Sequence, residues 1–126
     1  MAKEGKIAPV LTVNDIDRAR KFYENKLGLK YEGNIMDGGE VALTSNGSEL
    51  LLMKVDDKQP TEHTTVTFEI SNLEKRMKEL KDKGVKFEEY DLPNVKTVNG
   101  ICEKGNEKAA WFKDTEGNVC CLHEKK

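Results

Sequence analysis

The sequence predicts an α+β fold made of two copies of one module, each running strand, helix, strand, strand, strand. Three observations predict it. The stretch from Val13 to Tyr31, V-N-D-I-D-R-A-R-K-F-Y-E-N-K-L-G-L-K-Y, is repeated in kind from Ile70 to Phe87, I-S-N-L-E-K-R-M-K-E-L-K-D-K-G-V-K-F. Each copy carries a capping residue, apolar positions at helical spacing, a glycine stop and an extended restart. Short apolar runs bounded by Gly, Asn and Pro surround both copies and read as strands. Each module then closes on a hairpin signal, Asn46-Gly47 in the first and Asp114-Thr115-Glu116-Gly117 in the second.

Taken in order, Lys6–Val13 predicts a strand, with Pro9 near its start because proline lacks a donor for the ladder. The first helix follows, with Asn14 as the expected cap and Asp17 three residues on. Ile16, Ala19, Phe22, Tyr23 and Leu27 share one helical face, and Gly28 supplies the left-handed stop. A strand over 29–33, a turn-rich link over 34–39 and a hairpin of 40–44 with 48–55 complete module one, about residues 6–55. Residues 56–62, polar and containing Pro60, read as a linker within a single domain spanning 1–126.

Module two, about 63–124, repeats the order. Thr64–Ile70 is rich in strand-forming residues. Ser71 and Glu74 have capping-box spacing, Leu73, Met77 and Leu80 share a helical face, and Gly84 is the stop. Residues 85–90 predict a strand, 91–107 a long loop of lid or dimer-contact type, and 108–113 with 118–124 the last hairpin.

Charged residues make up 35% with a net charge of −2, which gives a well-solvated surface and no basic patch for nucleic acid. No apolar run approaches a membrane span, and residues 1–6 lack a signal-peptide core, so a cytoplasmic protein is expected. The three cysteines are expected as free thiols.

The run T-V-N-D-I-D-R-A-R-K-F-Y-E-N-K-L-G-L and the closing W-F-K-D-T-E-G-N resemble the vicinal oxygen chelate superfamily, which includes glyoxalase I, bleomycin-resistance proteins, fosfomycin-resistance enzymes and extradiol dioxygenases. The resemblance covers nearly the whole chain. It implies two paired modules, each a curved mixed sheet with a helix outside and a pocket inside. One such frame hosts many chemistries.

Period-2 alternation sorts the strands into two faces. Leu11, Val13, Leu50, Leu52, Val66, Phe68, Ile70, Cys120 and Leu122 share the apolar phase expected under a helix. The opposite phase is mixed, as a binding concavity is. It offers Thr12, Glu49, Leu51 and Met53 from module one. Module two adds Thr65, Thr67, Glu69, Tyr90, Trp111 and Cys121. These ten are the expected ligand-pocket residues.

Metal-dependent members of the superfamily place His and Glu ligands at one position in the first and last strand of each module. Counting back from each helix cap and forward from each hairpin glycine, the resemblance puts those positions at Ala8, Leu51, Thr65 and Cys121. Two alkyl groups, one hydroxyl and one thiol make no divalent-metal site. A displaced site from His63, His123, Glu49 and Cys121 is disfavoured, because two residues along a strand span roughly 7 Å. The expectation is therefore a metal-independent, cofactor-free binding protein, homodimeric, whose ligand is a small organic molecule, partly aromatic or cationic. The alternative is a lyase, isomerase or dioxygenase-like enzyme using a displaced metal or a carboxylate base.

Overall fold

A computed structural model describes residues 5–125. Its contacts divide the chain into two compact units, Met1–Gln59 and Pro60–Lys126, with the boundary inside the linker read from the sequence.

In the first unit, β1 (Val10–Val13) leads into α1 (Ile16–Leu27), followed by β2 (Lys30–Ile35), β3 (Glu40–Ser45) and β4 (Ser48–Lys54). The sheet order is β1-β4-β3-β2, with β1 parallel to β4 and the remaining pairs antiparallel. β1 is shorter than expected and starts after Pro9, whose carbonyl still accepts from Leu51 N at 3.0 Å. The side of the sheet bearing Leu11, Val13, Leu50 and Leu52 is buried, as are Ala19, Phe22 and Tyr23 of α1. This is the apolar stripe that the helical spacing predicts. Gly28 ends α1 in the left-handed conformation, φ 74°.

The cap of α1 is Asp15, not Asn14: its carboxylate accepts from Arg18 N at 3.0 Å. Asn14 is engaged elsewhere, its side-chain oxygen accepting from Lys58 N at 3.1 Å.

The second unit has the same topology. β5 (Thr64–Glu69) leads into α2 (Leu73–Asp82). A small hairpin, β6 (Asp91–Leu92) with β7 (Val95–Lys96), precedes β8 (Cys102–Lys104), β9 (Glu107–Lys113) and β10 (Val119–Lys125). The order β5-β10-β9-β8, with β5 parallel to β10, repeats that of the first sheet. Cys120, Leu122 and Phe112 are buried together with Leu73, Met77 and Leu80 of α2, and Val66 and Phe68 are partly covered.

Three expectations are corrected here. α2 is capped by Asn72, whose side chain accepts from Lys75 N at 3.4 Å, while Glu74 pairs with Lys108 Nζ at 2.7 Å instead of closing a capping box with Ser71. Leu73 N, another first-turn donor, is satisfied by Glu124 at 2.6 Å. Residues 85–90 form no strand; their backbone meets β9 at the bridge Phe87–Phe112 and the bond from Glu88 N to Trp111 O, while the Phe87 and Tyr90 rings and the Glu88 carboxylate pack against Phe112, Trp111 and Lys113. The stretch 91–107 is not structureless, since it holds β6, β7 and β8.

The closing turn D-T-E-G-N buries Asp114, Glu116 and Asn118. Asp114 accepts from Glu116 N and Asn118 N, both at 2.8 Å, and from the Asn118 amide at 3.0 Å. Burying these groups is tolerable because the turn satisfies them internally.

Candidate functional site

The open face of the second sheet gathers the residues with the most chemistry. Register sets Cys121 opposite Thr67 on one side and Trp111 on the other, and His123 opposite Glu69 and Ala109. Thr67, Glu69, Trp111 and Cys121 therefore lie together, as their alternation predicts. Trp111 is fixed from two directions. Its indole N–H donates to Thr64 Oγ1 at 3.1 Å, and the Tyr90 ring meets it edge-on, centroids 5.6 Å apart and planes at 81°. Tyr90 is tied to its neighbourhood by Thr97, whose hydroxyl accepts from Tyr90 N at 2.8 Å and also donates to Glu89. That hydroxyl, with the Gly100 backbone, holds the Glu89 carboxyl below its usual range. Partial burial pushes the Tyr90 phenol up.

Two details escape alternation. A register shift beside Val119 sets Thr64 opposite Val119 and Val66 opposite Cys120, leaving Thr65 as the extra residue of a bulge. Thr65 then turns its hydroxyl onto the Val119 carbonyl at 2.8 Å, and Thr64 takes the place beside Trp111. His123, weighed from the sequence only for a displaced metal site, meets Glu107, which alternation did not single out: Nε2 lies 2.5 Å from Glu107 Oε1, and Nδ1 lies 3.7 Å from Glu69 Oε1. Cross-strand register places Glu107 two residues from Ala109 on the same face, a relation visible in sequence only once the β9–β10 pairing is known.

Cys121 is on the expected face but only 5% exposed, and burial pushes its thiol up to about 11, against smaller opposing effects from Thr67 and the Ala110 backbone. It holds its proton at neutral pH and is a packing group, not a reactive one.

The remaining expected residues, Thr12, Glu49, Leu51 and Met53, belong to the first sheet. Thr12 pairs with Met53, Val10 with Leu51, and Thr44 with Glu49. With Val10 47% exposed and Leu51 and Met53 partly so, this face is more apolar than its counterpart. A hollow of about 520 Å³ lies on the helix side of the same unit, lined among others by Asp17, Arg20, Tyr31, Asn34 and Lys54. Arg20 stacks on Tyr31 there, 3.7 Å from the ring centre. The hollow contains none of the ten expected residues, and its lining mixes charged and amide side chains with Ile16, Tyr31 and the buried Val41.

The positions that the resemblance assigns to metal ligands do not fit a metal. Ala8 and Leu51 are alkyl side chains with no donor atom, Thr65 spends its hydroxyl on the Val119 carbonyl, and Cys121 alone offers a single buried thiol. Among the described residues no group of three or more His, Cys, Asp or Glu side chains is arranged to hold an ion. Nor is any described helix long and apolar enough to cross a membrane.

Fold and face together define a duplicated βαβββ protein with an aromatic and polar sheet surface. The chain belongs to the Glyoxalase/Bleomycin resistance protein/Dioxygenase superfamily, whose model matches residues 6–122. Among curated protein sequences none matches it. Solved structures share its fold at low identity. The fosfomycin resistance protein FosX from Listeria monocytogenes is 19% identical, with TM-score 0.74, covering 98% of this chain and 92% of that one. UcmS2 is 17% identical, with TM-score 0.72 and coverages of 95% and 98%. A putative glyoxalase family protein from Bacillus anthracis is 16% identical, with TM-score 0.72 and coverages of 94% and 91%. One FosX structure is a complex with Mn(II) and 1S,2S-dihydroxypropylphosphonic acid.

Proposed function

We propose that this protein binds a small organic molecule without a metal, as a cytoplasmic homodimer, on the open face of its second sheet. The observation that carries the reading is Trp111. It is held by Thr64 and Tyr90 on a face that also presents Thr67 and Glu69. A ring fixed in this way offers stacking area at little cost in side-chain entropy, and the hydroxyl and carboxylate beside it orient a ligand. Family membership supports small-molecule recognition in general, and the donor set Ala8, Leu51, Thr65 and Cys121 supports metal independence. FosX is named for fosfomycin resistance and is complexed with Mn(II) in two structures; the positions assigned in this chain offer two alkyl groups, one hydroxyl and one thiol.

The test is metal analysis of the purified protein beside a thermal-shift screen of organic ligands run with and without chelator. The reading expects substoichiometric metal and ligand-induced shifts that survive chelation. One transition metal per chain, removed by chelator together with a catalytic activity, would overturn it.

A further inference from the structure

Each unit contains the same two-residue turn built from the same dipeptide. Asn46-Gly47 joins Ser45 to Ser48, and Asn99-Gly100 joins Val98 to Ile101. Both residues of each pair have positive φ, 48° and 81° in the first and 53° and 81° in the second, as the tight hairpin turn requires. Both asparagines are exposed. This dipeptide carries a reaction of its own. The glycine nitrogen is the nucleophile nearest the asparagine side-chain amide, and with no Cβ on the glycine little shields it. Attack needs a free N–H, because the nitrogen sheds its proton as it bonds to carbon.

The two turns differ at that N–H. Gly47 N–H has no acceptor among the described residues, and nothing beyond its chain neighbours lies within 4 Å of where a Cβ on Gly47 would stand. Gly100 is buried, and a Cβ there would meet Met77 Cε at 3.1 Å and Phe87 Cβ at 3.4 Å. Its N–H donates to the Glu89 carboxylate, which the Thr97 hydroxyl also holds. A carboxylate bonded to that nitrogen opposes both the loss of its proton and the build-up of negative charge beside it. We propose that Asn46 is a site of spontaneous deamidation, and that Asn99, in the same turn, is spared because Glu89 holds the Gly100 nitrogen. At Asn46, the Gly47 nitrogen gives its proton to solvent base and bonds to Cγ. The Cγ–Nδ2 bond breaks and the amino group leaves, protonated, as ammonia. Water then opens the succinimide at either carbonyl, giving aspartate or isoaspartate. Either product adds a negative charge. Isoaspartate also lengthens the backbone by a methylene between Ser45 and Ser48, the end pair of the β3–β4 ladder. This inference is independent of the binding reading above.

The test follows both asparagines in one sample. Purified protein is incubated in mildly alkaline buffer and digested, and the Asn46 and Asn99 peptides are quantified by mass spectrometry, with isoaspartate identified by electron-transfer fragmentation. In the folded protein Asn46 should convert at least about tenfold faster than Asn99, since the Gly100 nitrogen must first give up a hydrogen bond to a charged acceptor. In urea, with the tertiary contacts gone, the two rates should converge. Glu89→Ala should raise the Asn99 rate in the folded protein and leave the Asn46 rate, read in the same digest, unchanged. Glu89→Gln keeps an acceptor without the charge and should fall between. Glu89 is exposed, so both variants should stay folded, which their denaturant midpoints check. Equal rates in the folded wild type would overturn the proposal. So would an Asn46 that stays intact in the folded protein over the time in which the urea-unfolded chain converts it. An unchanged Asn99 rate in folded Glu89→Ala would overturn the part given to Glu89.

Discussion

The Trp111 indole donates to the Thr64 hydroxyl at 3.1 Å, joining β9 to β5 across the intervening β10. The bond depends on the bulge that brings Thr64 rather than Thr65 opposite Val119. It fixes which way the only tryptophan of the chain faces.

Thr64→Val keeps the side-chain shape and removes the acceptor. The expected outcome is faster solvent exchange of the Trp111 indole proton and a change in its emission, with a stability loss of about 1 kcal/mol or less because the bond is exposed. Indole N–H exchange by NMR checks it. Thr65→Val, by contrast, should leave the indole unaffected.

Asp114→Ala should be far more damaging. It strips acceptors from Glu116 N, Asn118 N and the Asn118 amide in a buried turn. The expected loss is on the order of 3 kcal/mol, read from the denaturant midpoint. Asp114→Asn retains one acceptor oxygen and should lie between the two.

Cys121 gives a pH signature. Burial pushes its folded thiol up to about 11 from the ordinary 9.0, so between those two values the unfolded chain releases a proton that the folded chain keeps. The unfolded state therefore binds fewer protons, and stability falls as pH rises through that window, by at most about 1.4 kcal/mol per unit from this group. Below pH 9 the contribution is flat. A Cys121→Ala variant should show a shallower decline of stability between pH 9 and 11 than the wild type, measured by urea denaturation at fixed ionic strength.

Assembly can be checked by sedimentation. Val10, 47% exposed, and Met36, 73% exposed, leave apolar surface on the first unit, and both sheets end in edge strands that a two-fold partner can cover. A dimer is expected at micromolar concentration and above; a monomer throughout that range would contradict the proposed homodimer.

Much of this architecture is legible in the residues. The step from Leu50 and Leu52, buried, to Leu51 and Met53, partly open, follows directly from period-2 alternation, and the stripe of Ala19, Phe22 and Tyr23 follows from helical spacing. What sequence could not supply is non-local. Asn14 loses the cap of α1 to Asp15 because Lys58, 44 positions away, recruits its side chain. The bulge at Thr65 depends on how β5 docks beside β10, a parallel pairing between strands more than fifty residues apart. His123 reads as a terminal polar residue until Glu107 and Glu69 are brought to it by two different strands. The long stretch 91–107 hides its short strands because each is two or three residues long, too brief to show a period.

The most direct measurement is the fluorescence of Trp111, the sole tryptophan, during ligand titration in excess chelator. The account predicts a saturable change in emission with a small organic ligand from the screen, unaltered by chelation and by added zinc, nickel or manganese, and weakened in Glu69→Gln or Thr67→Val. A response that appears only after a transition metal is restored would contradict metal-independent binding at this face.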